Sequence, residues 1–257
     1  MTDPAWRHRA IVATILALST CGQANADCAF EPQGEGRVVT VLDGRSFRLD
    51  DGREVRLAGI ERTGTDNARG RTALAALVSG RHVTLHGEDD APDRYGRQPA
   101  FVFVDGSEIS VQGEMLRRGE AFASADVVDK ECAAELAAAE KVARQAKLGI
   151  WTHPTAIKNA ESPGDILAGM GQFAVVEGRV LSVRQAGTVT YLNFGRNWTR
   201  DFAATISGRI ISTFETAGLA PKSLENKRIR VRGFVGSRGG PRIDLLRVGQ
   251  IEVLGGK

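Results

Sequence analysis

Short segments of alternating or clustered apolar residues fill the first half of the chain after residue 36. Segments 37–40, 46–50, 54–60, 81–86 and 98–104 have strand-like lengths, and Asp-Gly turn signals separate the first three. Apolar positions at helical spacing predict three helices, over 68–78, 110–118 and 130–148. Ser110 is a candidate N-cap, and Gly119 and Gly149 stand where the second and third helices are expected to stop. This half is predicted to be mainly β with packed helices, an α+β class.

The second half has a simpler pattern of strands. Segments 173–185 and 188–194 predict a hairpin, followed by a strand over 201–206, a short helix over 208–217 and two strands over 227–235 and 241–246. Three strands, a helix and two strands are the order of a small five-stranded OB barrel, with a β-sandwich fragment as the alternative. Between the halves, residues 154–171 lose periodicity and collect prolines and glycines, which is typical of a linker. The predicted domains are therefore residues 27–153 and 172–257.

The N-terminus has the features of a secretory signal peptide. Arg7 and Arg9 precede a short apolar segment that ends in Ala24-Asn25-Ala26, so we expect cleavage after Ala26 and an exported protein, periplasmic or secreted. The alternatives are a buried N-terminal helix and a lipoprotein modified at Cys21. No later apolar run is long enough to predict a transmembrane segment. Cleavage would leave Cys28 and Cys132, and an even pair in an exported chain predicts a disulfide.

Charge is distributed unevenly between the two halves. The chain has a net charge of +3, with 25% charged and 42% hydrophobic residues, as in an ordinary globular protein. Residues 27–171 contain 18 Lys and Arg against 24 Asp and Glu, whereas residues 172–257 contain 14 against 6. A basic domain concentrates polyanions around itself, so the second half is the one in which the charge favours such a partner.

Residues 37–151 resemble the staphylococcal nuclease (thermonuclease-like) domain. The resemblance rests on an ordered series: RVVTVLDGRSFRLDDGREVRLAGI, a helix, DRYGRQPAFVFVDG, a short Leu-rich helix, and a Glu-rich helix closing with LGIW. It implies an OB-type barrel with three helices, so that the chain would hold two OB-like barrels in tandem. The family is Ca²⁺-dependent, with two aspartates that hold the ion, a glutamate that handles the attacking water and two arginines that grip the phosphate.

The family's metal and base positions are altered in this chain. Asp43 is retained, but the principal metal-holding aspartate is replaced by Arg45, and the second ligand position carries Glu61. The glutamate position is Gly64, which has no side chain to act as a base. The most economical interpretation is that Arg45 occupies the cation position and pairs with Asp43 and Glu61. The alternative is a working site in which Asp43 and Glu61 still hold a metal or Asp66 substitutes.

The family's phosphate-binding arginines are retained. By resemblance Arg56 and Arg97 form the phosphate clamp, and Tyr95 matches a nucleotide-contacting tyrosine. Guanidinium groups suit bidentate contact with phosphate. The structural alternative is that Arg56 pairs with a surface carboxylate, and that Arg97 and Tyr95 only support the barrel.

The basic half carries two candidate binding features. Arg228, Arg230 and Arg232 alternate with apolar residues and predict one cationic strand face. In YLNFGRNWTRDF, Trp198 lies between Arg196 and Arg200, the mixture of rings and cations that single-strand binding uses. The alternatives are that Tyr191 or Phe202 fills the core and that the arginine row is a solvated or guarded edge.

Three functions follow from these features. The favoured one is an exported nuclease-like protein that binds nucleic acid (DNA or RNA, with a single strand as one option) or another polyanion, with hydrolysis lost or reduced. The second is an active Ca²⁺-dependent nuclease that hydrolyses phosphodiester bonds. The third is an envelope scaffold that binds protein. No cofactor is assigned except Ca²⁺ if the nuclease site works.

Overall fold

The computed structural model describes residues 30–62, 68–87 and 91–255. Within these ranges the α-helices are α1 Ala68–Val78, α2 Val111–Arg117, α3 Lys130–Gln145, α4 Pro163–Leu167 and α5 Ile211–Thr216. The strands are β1 Glu31–Asp43, β2 Ser46–Leu49, β3 Glu54–Leu57, β4 Ile60–Glu61, β5 His82–Gly87, β6 Arg97–Val104, β7 Phe122–Ala123, β8 Ile157–Asn159, β9 Phe173–Arg179, β10 Ser182–Ala186, β11 Val189–Asn193, β12 Ala203–Ser207, β13 Arg228–Arg238, β14 Gly240–Leu245 and β15 Ile251–Val253. The predicted α+β class is confirmed. None of the described helices is long and apolar enough to cross a membrane.

The first barrel closes in the order β1-β2-β3-β6-β5, with β5 returning to β1. The long strand β1 makes this closure, because its first half pairs with β5 and its second half with β2. β3 and β6 are parallel, and the other neighbours are antiparallel. Phe47, Leu57, Leu74, Met115 and Leu136 are fully buried in a core shared by the strands and the three helices.

The second sheet repeats this strand order. Its strands follow β10-β11-β12-β14-β13-β9, with β12 and β14 parallel. β9 and β10 correspond to the two halves of β1, because the ladder continues between them: the Val180 N–H donates to Lys227 and the Leu181 N–H to Asn193. The order is that of the predicted OB-like domain. Its core is built around Phe202, Phe214, Leu192, Ile229 and Ile243.

The segment predicted to be a linker is folded. Residues 154–171 contain β8, which pairs in parallel with β9, and α4, whose Ile166 is buried in the second core together with Ala160. Prolines here start short helices instead of marking an unstructured connection, with Pro163 at the first turn of α4. The physical reason is that two or three apolar residues are enough to anchor a short segment to the core. So few residues do not form a detectable periodic pattern in the sequence.

A third, smaller core joins the two domains. Phe122 of the first domain lies between Trp151 of the same domain and Phe173 of the second, with ring centroids 5.4 Å and 6.1 Å away. Ala143 of α3 and Val175 of β9 are fully buried beside them. The two domains are therefore packed against each other through apolar side chains.

Several details differ from the sequence predictions or lie beyond them. α3 ends at Gln145, three residues earlier than predicted, because Lys147 already adopts a left-handed conformation with φ 52°. β15 was not predicted. Ser110 caps α2 as expected by accepting from the Gly113 N–H at 3.1 Å. The predicted signal peptide and Cys28 lie outside the described residues, whereas Cys132 is buried on α3, so the bridge between Cys28 and Cys132 stays a prediction.

Candidate functional site

The first candidate site lies where β1, β2, β3 and β4 come together. Asp43 ends β1, Arg45 occupies the turn before β2, Arg56 lies on β3 and Glu61 on β4. The strand register pairs Asp43 with Ser46 and Ser46 with Arg56, which brings the turn next to β3. The fold therefore gathers residues that the sequence separates by up to 18 positions.

An ion pair between Arg45 and Glu61 occupies the centre of this pocket. Arg45 Nη1 contacts Glu61 Oε2, and Arg56 Nη2 donates to Glu61 Oε1 at 3.2 Å, so one carboxylate is shared by two guanidinium groups. Glu61 is 5% exposed. The prediction that Arg45 pairs with Glu61 is confirmed.

The predicted pairing of Arg45 with Asp43 is wrong. Asp43 Oδ1 instead accepts from the backbone N–H of Arg45 at 2.9 Å, which stabilises the turn between β1 and β2. An Asp side chain that bonds a backbone N–H two residues later is a common way to fix a turn. The guanidinium of Arg45 is directed to Glu61 and, at 3.4 Å, to the Ile60 carbonyl.

The guanidinium groups of the pocket lie close to one another and to carboxylates. Burial lowers the pKa of Arg56, and the nearby charges of Arg45 and Arg97 lower it further against the opposing effect of Glu61 and Asp126. The Nε atoms of Arg45 and Arg56 are buried, and neither has a hydrogen-bond partner among the described residues. Because Arg45 and Arg56 share the buried carboxylate of Glu61, a metal cation at this position would have to displace two guanidinium groups from that carboxylate.

The second clamp arginine is held by its own aspartate. Arg97 donates to Asp93 Oδ2 through Nε at 3.0 Å and through Nη2 at 2.7 Å. Burial would raise the pKa of Asp93, but hydrogen bonds from the Arg97 side chain and from the backbone N–H groups of Arg97 and Tyr95 outweigh it and lower that pKa to about 2. Tyr95 is 65% exposed, and the guanidinium carbon of Arg97 lies 5.0 Å from its ring centroid.

A comparison with protein families agrees with this geometry. Residues 55–153 match the family model described as staphylococcal nuclease homologue. The chain carries a staphylococcal nuclease-like domain. The match contains Arg56, Glu61, Tyr95 and Arg97 but begins after Arg45, although β1 and β2 complete the same barrel. A comparison with curated proteins found no match.

The described residues of the nuclease-like pocket do not fit the family's calcium ion. Calcium requires several oxygen ligands, usually with carboxylates among them. Here Glu61 is bound by two arginines and Asp43 by a backbone N–H, and no cluster of three metal-binding side chains occurs among the described residues. Gly64 and Asp66, the lost base position and its suggested substitute, lie outside the described ranges.

The arginine row of β13 is not the open cationic face that the sequence predicted. Arg230 and Arg232 are 8% and 9% exposed. Arg230 bonds to Glu252 at 2.6 Å and to Glu177 at 2.8 Å, while Arg232 crosses to the nuclease-like domain and bonds to Glu140 at 2.9 Å. Arg228 is exposed but also pairs with Glu177. The alternation of the strand was correct, but the face it creates is covered by carboxylates and by the other domain.

The second predicted segment does lie at a surface groove. Arg196 and Trp198 line a groove of about 900 Å³ on the second domain, whereas Arg200 pairs with Asp201 at 3.3 Å. Phe202 is buried, as one of the alternatives held, and Tyr191 lines the groove. The sequence analysis missed Arg184, Arg238 and Arg242, which come from three separate strands and share no local pattern.

Proposed function

We propose that this chain is an exported nuclease-like protein that binds nucleic acid or a similar polyanion without the calcium-dependent hydrolysis of its family. The observation that carries the proposal is the Arg45 and Glu61 ion pair. Arg45 places a positive charge where the family has an aspartate that binds the metal ion. Export is supported by the signal-like N-terminus, Arg7 to Ala26.

The loss of hydrolysis follows from the size of the missing contributions. Removing one well-placed electrostatic or acid–base group typically costs about 10²- to 10⁴-fold in rate. This chain has Arg45 at a metal-ligand position and Gly64 at the base position, so two such groups are changed. The two arginines that the resemblance assigns to phosphate contact are both retained, with Arg56 bonded to Glu61 and Arg97 bonded to Asp93. The protein can therefore retain phosphate binding although phosphodiester hydrolysis is lost.

The test compares binding and cleavage, each measured with Ca²⁺ and with a chelator. Purified protein is incubated with labelled DNA and RNA, and retention and digestion are followed in parallel. We expect binding that the chelator does not abolish and no digestion. Calcium titration by calorimetry should give no heat of binding.

A matched pair of variants identifies the source of any cleavage. Arg97→Ala removes a pocket arginine, and Arg81→Ala removes an arginine that contacts Asp105 through the same two nitrogens but lies outside the pocket. Calcium-dependent digestion that Arg97→Ala abolishes and Arg81→Ala preserves would establish the active-nuclease alternative. If the protein shows no binding and no digestion, that result would favour the protein-binding scaffold.

A further inference from the structure

The groove on the second domain is lined by four arginines and two aromatic rings. β10 supplies Arg184, β11 Tyr191, β13 Arg238 and β14 Arg242, and the loop between β11 and β12 supplies Arg196 and Trp198. It covers the face formed by the second and third strands of the domain and the loops beside them. In OB barrels this face is a common ligand surface.

The arginines of this groove are less neutralised than any other arginine group described above. No carboxylate among the described residues forms an ion pair with Arg184, Arg196 or Arg238, and Arg242 has one partner, Asp244, at 3.3 Å. Among the described residues that line the groove, one is acidic: Asp201, which accepts from the Asn197 N–H at 2.9 Å and from Arg200. Arg230 and Arg232, by contrast, are buried in ion pairs. Unpaired cations on one concave surface attract a polyanion.

Trp198 is exposed in a loop that holds it in place. The ring is 77% exposed, yet its loop is fixed by internal hydrogen bonds: Asn197 Oδ1 accepts from the backbone N–H of Thr199 at 3.1 Å and from its hydroxyl at 2.6 Å. The other wall packs closely on this loop at Gly240, where a Cβ would lie 2.5 Å from the Asp201 carbonyl oxygen. An exposed tryptophan on a fixed loop is available to stack without a large ordering cost.

We infer that this groove binds single-stranded nucleic acid, with bases stacked on Trp198 and Tyr191 and phosphates held by Arg184, Arg196 and Arg238. The inference rests on the proposed function and names its principal binding site. Aromatic rings can stack on the bases of a single strand while the unpaired arginines bind its phosphates. A polyanion without bases would use only the arginines. In a duplex the bases are already stacked on each other, so the rings gain no base faces.

The experiment measures affinity by fluorescence anisotropy with labelled single-stranded DNA and RNA of about 12 nucleotides, a length within the range of OB-fold sites. We expect Trp198→Ala to weaken binding about 5- to 150-fold, as for loss of one stacked base, and Trp198→Phe to restore most of it. Replacing Arg196 and Arg238 together by Ala should reduce the slope of log affinity against log salt by about 1.4. The matched control is Arg209→Ala, an exposed arginine that does not line the groove.

The possible outcomes distinguish the proposal about the groove from the proposed function of the whole protein. Weakening by the Trp198 and arginine variants, with Arg209→Ala unchanged and thermal stability preserved in all, supports the groove. Single-strand binding that survives these variants but is lost in Arg97→Ala refutes the groove and leaves the proposed function standing. Equal affinity for heparin or duplex, unaffected by Trp198→Ala, refutes single-strand stacking. Absence of any binding refutes both proposals.

Discussion

Arg232 is predicted to be a major stabilising contact between the two domains. Its guanidinium extends from β13 to α3, where Nη2 bonds to Glu140 Oε2 at 2.9 Å and Nη1 to Oε1 at 3.2 Å. Nη1 also donates to the Ala123 carbonyl at 2.8 Å. Glu140 is 1% exposed and Arg232 9% exposed, so neither charge is solvated by water. We expect Arg232→Ala to destabilise the whole protein.

The size of the loss follows from what remains around Glu140. Removing one partner of a buried ion pair typically costs about 3–5 kcal/mol, because the other charge stays buried. Here Glu140 retains the Ala123 N–H at 3.0 Å and a distant contact to Arg144 at 3.8 Å. These contacts place the expected loss near the lower limit, about 3 kcal/mol, which corresponds to about 6–12 °C in melting temperature for a protein of this size.

Arg228→Ala is the matched control, since Arg228 lies on the same face of the same strand. Its side chain is 66% exposed and pairs with Glu177, so we expect a loss below about 1 kcal/mol. The free energy of unfolding is measured by urea denaturation, with thermal melting as a second readout. Equal losses of unfolding free energy for Arg228→Ala and Arg232→Ala would refute the view that burial at the domain junction determines how much each arginine of β13 stabilises the protein.

Three further predictions concern the pocket, the pH response and the cysteines. Arg45→Asp should remove the cation from Glu61 and add an oxygen ligand, so calorimetry should detect calcium binding that the unmodified protein lacks. The pKa of Asp93 is lowered to about 2, so its contribution to stability is complete above its ordinary pKa and is lost as the pH falls toward 2; Asp93→Asn should remove that part of the acid response in melting curves. A thiol assay on the denatured, exported protein should find no free thiol if Cys28 and Cys132 are bridged, and two reactive thiols would contradict the bridge.

Local signals in the sequence predicted most elements of the fold. The bounds of α1 agree with the predicted 68–78, and Ser110 caps α2, because helical spacing and capping are properties of neighbouring residues. The strand order of the second domain also followed from the pattern. β8 and α4 were missed because Ile157 and Ile166 are anchored by distant strands, which a local pattern does not contain.

The candidate sites were predicted less completely than the fold. The pairing of Arg45 with Glu61 could be inferred, since the resemblance placed both residues around one ion position. The environment of Arg232 could not, because its partner Glu140 lies 92 positions away and belongs to the other domain. Alternation along a strand identifies which residues share a face, but whether that face meets water or a second domain depends on tertiary packing.

The two candidate phosphate-binding surfaces differ in how many of their arginines already form ion pairs. In the nuclease-like pocket, Arg45 and Arg56 share Glu61, and Arg97 is bonded twice to Asp93, so a phosphate must compete with buried or half-buried carboxylates. In the groove of the second domain, Arg196 and Arg238 form no ion pair with any of the described carboxylates, and Asp201, which lines the groove, pairs with Arg200. Since displacing a partly buried ion pair costs more than displacing water, affinity for a nucleic acid should be governed by the groove. The pocket would then contribute specificity for a phosphate rather than most of the binding free energy.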